Sequence, residues 1–314
     1  MNTFFLPSVF NIGKALGQFL LALKVGIAGN IDLHSCGTAA TVEGFSHIAG
    51  CTGVAGHAFN VVECKQYSDM RENRYYMRVV IDMEKDSMTR RALSEAFAEV
   101  AARMNLKYSL HFSDDRCRMA ILVSKTSHCL YDLLAHVREG DLPCEVPLVL
   151  GNHPELEHVA DMFNIPYFCC PVEEGKGLEQ EKAVLDILQQ HKIDLVVLAR
   201  YMRILSEDFI AQYQHRIINI HHAFLPAFQG GNPYMRAWQR GVKMIGATAH
   251  YATPELDEGP IIEQDVERIT HEASPDELKQ IGKDIERRVL TRAVRAHLEH
   301  RVIITGRRTI VFGR

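Results

Sequence analysis

The chain has 314 residues, 47% hydrophobic and 24% charged, with a formal net charge of −4. That length exceeds one average domain and predicts two domains and a sizeable core. The slightly acidic balance, with a sequence pI near 6.5, gives no electrostatic case for nucleic acid, whose binders usually carry a strong basic patch. The arginine pairs Arg90-Arg91, Arg287-Arg288 and Arg307-Arg308 are short and read as solvated faces. The longest apolar run near the start, 19–23, is cut by Lys24 and is too short for a bilayer, and no basic residue precedes Lys14 to open a secretory signal. Eight cysteines are scattered without a CxxC pair or metal-finger spacing. They predict reduced thiols, a cytoplasmic location and no structural metal.

In chain order, residues 1–58 are rich in Gly and Ala, keep no sustained period, and are left without an assigned element. Two β-rich runs, 59–67 and 75–81, flank the turn-forming 68–73 and predict a hairpin. Leu93, Phe97, Val100 and Ala101 recur at helical spacing in 88–104, and a strand follows at 108–112. Strand, strand, helix, strand over 59–112 is most of a small ferredoxin-like α+β module. If a first strand is absent, its sheet keeps an unpaired edge.

Residues 113–118 are polar and read as a linker, with the second domain at 119–314. There, strands at 119–123, 146–150, 166–169 and 195–198 alternate with helices at 130–137, 155–163 and 179–190. Near-continuous apolar strands between helices predict an α/β doubly wound, mostly parallel sheet, whose ligands sit at the carboxyl ends of its strands. Ser274-Pro275-Asp276-Glu277 carries the residues of a capping box with proline at the first helical position. Leu278, Ile281, Ile285, Val289 and Ala293 then mark a long amphipathic helix to about 299, followed by a hairpin of 302–304 and 309–312 around Gly306.

The chemistry concentrates in the apolar strand Ile217-Ile218-Asn219-Ile220-His221-His222. Side chains two apart share a strand face, so Asn219 and His221 project together while Ile218, Ile220 and His222 face the other way. A buried amide and imidazole require partners or a ligand. Asp257, in the turn Leu256-Asp257-Glu258-Gly259-Pro260, is the candidate to orient the His221 ring and favour its charged form. Such a pair moves a proton to a departing nitrogen, and Asn219 offers a donor to oxygen charge on an attacked carbonyl. The residues alone leave two readings open: acyl-group chemistry, or a structural buried His/Asn pair.

Five ordered motifs add a resemblance. Asn219-Ile220-His221, Leu225-Pro226, Gly231-Asn232-Pro233-Tyr234, Gly246-Ala247-Thr248-Ala249-His250 and Leu256-Asp257-Glu258-Gly259-Pro260-Ile261-Ile262 resemble the signature of the formyltransferases that use formyl-tetrahydrofolate. The resemblance covers about 118–312. It implies Asn219, His221 and Asp257 as the catalytic three. It places Met202, Arg203, Leu205 and Tyr251 at the folate; the residues themselves leave His128 as an acceptor-side contact or a helix-start cap or surface residue, and His250 as an acceptor-side contact or packing beside the site. Within the family the chain looks like the deformylase branch, in which water hydrolyses 10-formyltetrahydrofolate to formate and tetrahydrofolate. That activity balances one-carbon pools and supplies formate for purine synthesis. Ser124-Lys125-Thr126-Ser127-His128-Cys129-Leu130 stands where a glycinamide ribonucleotide transferase carries a Gly/Asn/Ser loop, and 59–112 resembles part of an ACT domain. The branch implies a homo-oligomer, dimer or tetramer, no metal or cofactor, no nucleic-acid or membrane partner, and an amino-acid regulator at the ACT-like part. Residues 1–58 lack the Asp/Arg/Gly turn that opens such a domain. The alternatives are formyl transfer to an amine acceptor such as glycinamide ribonucleotide, with Lys125 as the candidate to hold its phosphate, and a folate- or amino-acid-sensing protein.

Overall fold

The computed structural model describes residues 29–36, 60–82, 89–226 and 233–314. The remaining parts of 1–58, Phe59, Met88, the motif residues Gly231-Asn232 and the side chain of Val100 lie outside the described residues. The chain divides into two units between Asp115 and Arg116, inside the polar stretch 113–118.

The first unit holds a four-stranded antiparallel sheet of β1 (Gly29–Cys36), β2 (Asn60–Asp69), β3 (Arg74–Asp82) and β4 (Leu106–Phe112), in the order β2-β3-β1-β4. Helix α1 (Arg90–Met104) starts at Thr89, whose hydroxyl accepts from Ala92 N–H at 3.2 Å, and ends at the left-handed Asn105. Leu93, Phe97 and Ala101 form its buried stripe, as their spacing requires. The β2-β3 hairpin, α1 and β4 match the sequence expectation within two residues at most ends. The reading of 1–58 is corrected by β1, which pairs with β3 on one side and β4 on the other. Strand 29–36 offers only Ile31 and Leu33 as strong β-formers, so it is defined by neighbours on both sides, which sequence period cannot show. The condition for an unpaired edge, the loss of a first strand, is not met where β1 lies between β3 and β4.

The second unit is a seven-stranded sheet in the order β11-β10-β9-β8-β5-β6-β7. Its strands are β5 (Cys117–Val123), β6 (Cys144–Gly151), β7 (Tyr167–Cys169), β8 (Leu195–Leu198), β9 (Ile217–His221), β10 (Met244–Tyr251) and β11 (Ile261–Arg268). Helices α2 (His128–Arg138), α3 (Glu157–Met162), α4 (Gly177–Gln190), α5 (Glu207–Gln212), α6 (Pro233–Arg240) and α7 (Pro275–Leu298) connect and cover it. The central strand β5 shows why the sheet is covered twice. Met119, Ile121 and Val123 join the core layer with α2 and α7, whereas Ala120 and Leu122 join the layer with α4 and α5. Alternate side chains of one apolar strand thus reach two cores.

Strands β5 to β9 are mutually parallel, and β10 runs antiparallel to both β9 and β11. Helix α7 begins with the capping box: Glu277 N–H reaches Ser274 Oγ at 3.3 Å and Ser274 N–H reaches Glu277 Oε2 at 2.7 Å. A hairpin of β12 (Val302–Thr305) and β13 (Arg308–Val311) follows. Among the described residues no helix is long and apolar enough to cross a membrane.

Candidate active site

Strand β9 delivers Asn219 and His221 to the carboxyl edge of the sheet, where parallel strands leave room for a ligand. Their face opens on a cavity of about 270 Å³ lined by Asn219, His221, His250, Asp257 and the segment 200–205 after β8. Ile218 and Ile220 are buried in the core on the opposite face.

Asp257 sits in a turn with φ of +59°, and its Oδ1 lies 3.3 Å from His221 Nδ1. Contact with His221 holds the Asp257 carboxyl below its ordinary range, against an opposing push from partial burial. The turn reaches β10 because residue 259 is glycine: a Cβ there would run into the Tyr251 carbonyl. Tyr251 N–H also donates to Pro260 O at 2.9 Å. With Nδ1 engaged by Asp257, His221 Nε2 is buried without a hydrogen-bond partner among the described residues. It is the ring atom left for a reacting group.

His250 supplies what strand spacing could not. Its Nδ1 lies 3.0 Å from Tyr251 O, which only accepts, so Nδ1 carries the proton and Nε2 holds a lone pair. Burial pushes its pKa down, in keeping with a neutral ring. Asn219 Nδ2 lies 3.2 Å from that Nε2 and donates to it. His250 thereby fixes which end of the Asn219 amide is nitrogen, and the second N–H is the donor for an oxyanion.

Three expectations change. Tyr251 does not line the cavity: alternation along β10 turns His250 to the site and Tyr251 into the opposite core, where its hydroxyl meets His297 Nδ1 at 2.8 Å. His222 does not face away from His221. The strand ends at 221, the backbone bends, and the rings stack with centroids 5.1 Å apart. Burial first, then the charge of Arg200, pushes His222 down to about 4. His128 lines neither cavity at this end of the sheet. Its Nε2 instead donates to Glu286 Oε2 at 2.8 Å.

Met202, Arg203 and Leu205 do line the cavity wall, with Met202 and Ile204 strongly exposed at its mouth. Their segment is fixed by Met202 N–H donating to the buried Ser124 Oγ at 3.0 Å, and by Gln180 Nε2 donating to Tyr201 Oη at 3.1 Å. A second cavity of about 700 Å³ shares Arg200, Met202 and Arg203 with the first.

Behind that shared wall is a buried cluster that sequence reading missed. Glu286 on α7 is 1% exposed. It accepts from Tyr234 Oη at 2.6 Å and from His128, and lies 3.4 Å from Arg200 Nε. Burial pushes its pKa up, but the His128 hydrogen bond and the Arg200 charge outweigh it, and the net shift is downward. Glu286 falls on the apolar stripe of α7 with Gly282 four residues before it, and a Cβ at 282 would meet the Tyr234 ring. A charged residue on that stripe was the available signal. His128, Cys129 and Glu286 offer ligand atoms within 4.8 Å of one another. The Arg200 guanidinium and the raised pKa of the fully buried Cys129 thiol oppose a cation there.

The Formyl transferase family model matches residues 117–294. The formyltetrahydrofolate deformylase of Synechocystis sp. is 49% identical over 253 residues, covering 81% of this chain and 89% of that protein. The crystal structure of a formyltetrahydrofolate deformylase from Pseudomonas syringae pv. tomato superposes with a TM-score of 0.84 at 34% identity, over 96% of this chain and all of that one. Glycinamide ribonucleotide transformylase 1 from Symbiobacterium toebii is more distant, at TM-score 0.60 and 30% identity over 63% of this chain and 95% of that one. With the site at the carboxyl ends of β8 and β9 in the same fold, the chain belongs to the formyl transferase family, among its formyltetrahydrofolate deformylases.

Proposed function

We propose that the chain hydrolyses 10-formyltetrahydrofolate to formate and tetrahydrofolate, with Asn219, His221 and Asp257 carrying the reaction. The supporting observation is the arrangement of three groups around one open position. These are His221 Nε2 without a partner, Asp257 behind its Nδ1, and Asn219 oriented by His250. Water ordered at His221 attacks the formyl carbon and gives its proton to the ring. The oxygen charge that develops is held by the second Asn219 N–H and the protonated His221. Proton delivery to the folate nitrogen then releases tetrahydrofolate. Met202, Arg203 and Leu205 enclose the pterin. His250 acts on the donor Asn219 rather than on an acceptor.

The protein works in the cytoplasm as a homo-oligomer, and the first unit is ACT-like. Its sheet order β2-β3-β1-β4, with β3 between β2 and β1, is that of a split β-α-β module and supports this reading. Incubation of the full chain with 10-formyltetrahydrofolate and no amine should give formate and tetrahydrofolate in equal amounts. His221→Ala should abolish turnover while folate still binds. Tetrahydrofolate appearing only when an amine acceptor is supplied would instead make the chain a transferase.

A further inference from the structure

The shared wall between the two cavities holds a cation whose hydrogen bonds are unmet. Arg200 has a left-handed backbone, with φ of +63°. Its side chain is 16% exposed and its Nε lies 3.4 Å from Glu286 Oε2. The Glu286 carboxylate is already occupied by Tyr234 and His128, and Arg200 Nε and Nη1 are buried without an acceptor among the described residues. Buried donors left unpaired carry a substantial penalty unless a ligand or water completes them.

Two cations line both cavities, the exposed Arg203 and the largely buried Arg200, and only Arg200 holds its donors in a dry wall where a small anion gains most. Lys125 is drawn towards Glu155, at 3.4 Å, and Lys176 towards Glu173, at 2.6 Å, while Glu173 and Glu174 line the far side. Arg200 is the buried cation common to both cavities, and a guanidinium presents paired donors that match a carboxylate. In the reaction proposed above, on which this step rests, the first cavity is filled by the folate when a carboxylate is formed beside His221. Asp257, 3.3 Å behind that ring, repels the new anion.

We propose that Arg200 is the receptor for the product formate, and that formate leaves through the second cavity while the folate still occupies the first. Glu286, Tyr234 and His128 hold the guanidinium in place from behind; their part is positioning.

Two measurements on the full-length protein decide this. Sodium formate added to the hydrolysis assay should lower kcat with little change in KM for 10-formyltetrahydrofolate, because both are bound at once. Purely competitive inhibition would put formate at Asn219 and His221 and overturn the proposal. This readout uses the wild type and needs no variant to fold. Second, line broadening of ¹³C-formate by the folate-free protein should weaken about tenfold or more in R200Q, the loss of a charge-assisted pair, and be partly restored in R200K. Equal broadening by wild type and R200Q would overturn it. So would inorganic phosphate bound through Arg200 where formate is not, since the site would then serve a phosphorylated ligand. A protein that binds formate through Arg200 but generates none from 10-formyltetrahydrofolate sinks the hydrolase reading and leaves the anion site standing. One that generates formate without binding it at Arg200 does the reverse.

Discussion

Replacing Asp257 by Asn removes one charge and keeps the shape of the turn. The carboxylate Oδ1 lies 3.3 Å from His221 Nδ1. At an effective dielectric of about 20, two unit charges at that separation attract by about 5 kcal/mol. That is a ceiling, because Asp257 keeps some contact with solvent and the amide of Asn still hydrogen-bonds the ring. A loss of about 2–3 kcal/mol from the state in which His221 is protonated corresponds to roughly 30- to 160-fold in kcat. KM should change by less than about threefold, since the cavity wall at 200–205 is untouched. The assay is steady-state release of tetrahydrofolate by wild type and D257N at pH 7. The same pair has a signature in stability. Asp257 has a lowered pKa in the folded chain, so its contribution is present above the ordinary aspartate value of the unfolded chain and is lost as pH falls through the folded one. The stability difference between wild type and D257N should therefore persist at pH 7 and disappear only in strong acid. A kcat for D257N within twofold of wild type would refute the assignment of His221 as the group that carries the proton.

Three other outcomes follow from the geometry. Tyr251→Phe should lower unfolding stability by about 1–2 kcal/mol, through the lost hydroxyl contact with His297, and leave the KM for folate unchanged; a several-fold rise in KM would return Tyr251 to the folate site. His222 has a folded pKa of about 4 against 6.5, so the unfolded chain binds the extra proton first and stability falls as pH drops from 6.5 towards 4. Between pH 6.5 and 5 this amounts to about 2 kcal/mol, and chemical denaturation of His222→Gln should show that part of the slope missing. Ser274→Ala should cost about 1 kcal/mol by removing the cap of α7, visible as a lower thermal midpoint with kcat preserved.

Much of the second unit was legible because its signals are local. The run 119–123 is apolar at every position, and only a strand covered on both faces buries all of it. The capping box at Ser274 and Glu277 needs four residues to be recognised. Strand β1 was not legible, because Ile31 and Leu33 give a weak period and its partners lie 38 or more positions along the chain. Tyr251 and His222 were misplaced for opposite reasons: the first obeys strand alternation, which puts it away from the site, and the second stands just past the strand end, where alternation stops applying.

Asn219 and His221 could be paired from sequence because both lie on one strand, where a period of two fixes their common face. Asp257 entered by motif, and only the fold brings it to His221, since it requires β10, the turn at Gly259 and the close approach of that turn to the Tyr251 carbonyl. The roles of His250, Glu286 and Arg200 belong wholly to tertiary structure. Hydrogen-bond direction, burial and the sharing of one carboxylate depend on distances between elements far apart in the chain, and sequence spacing carries no such distances.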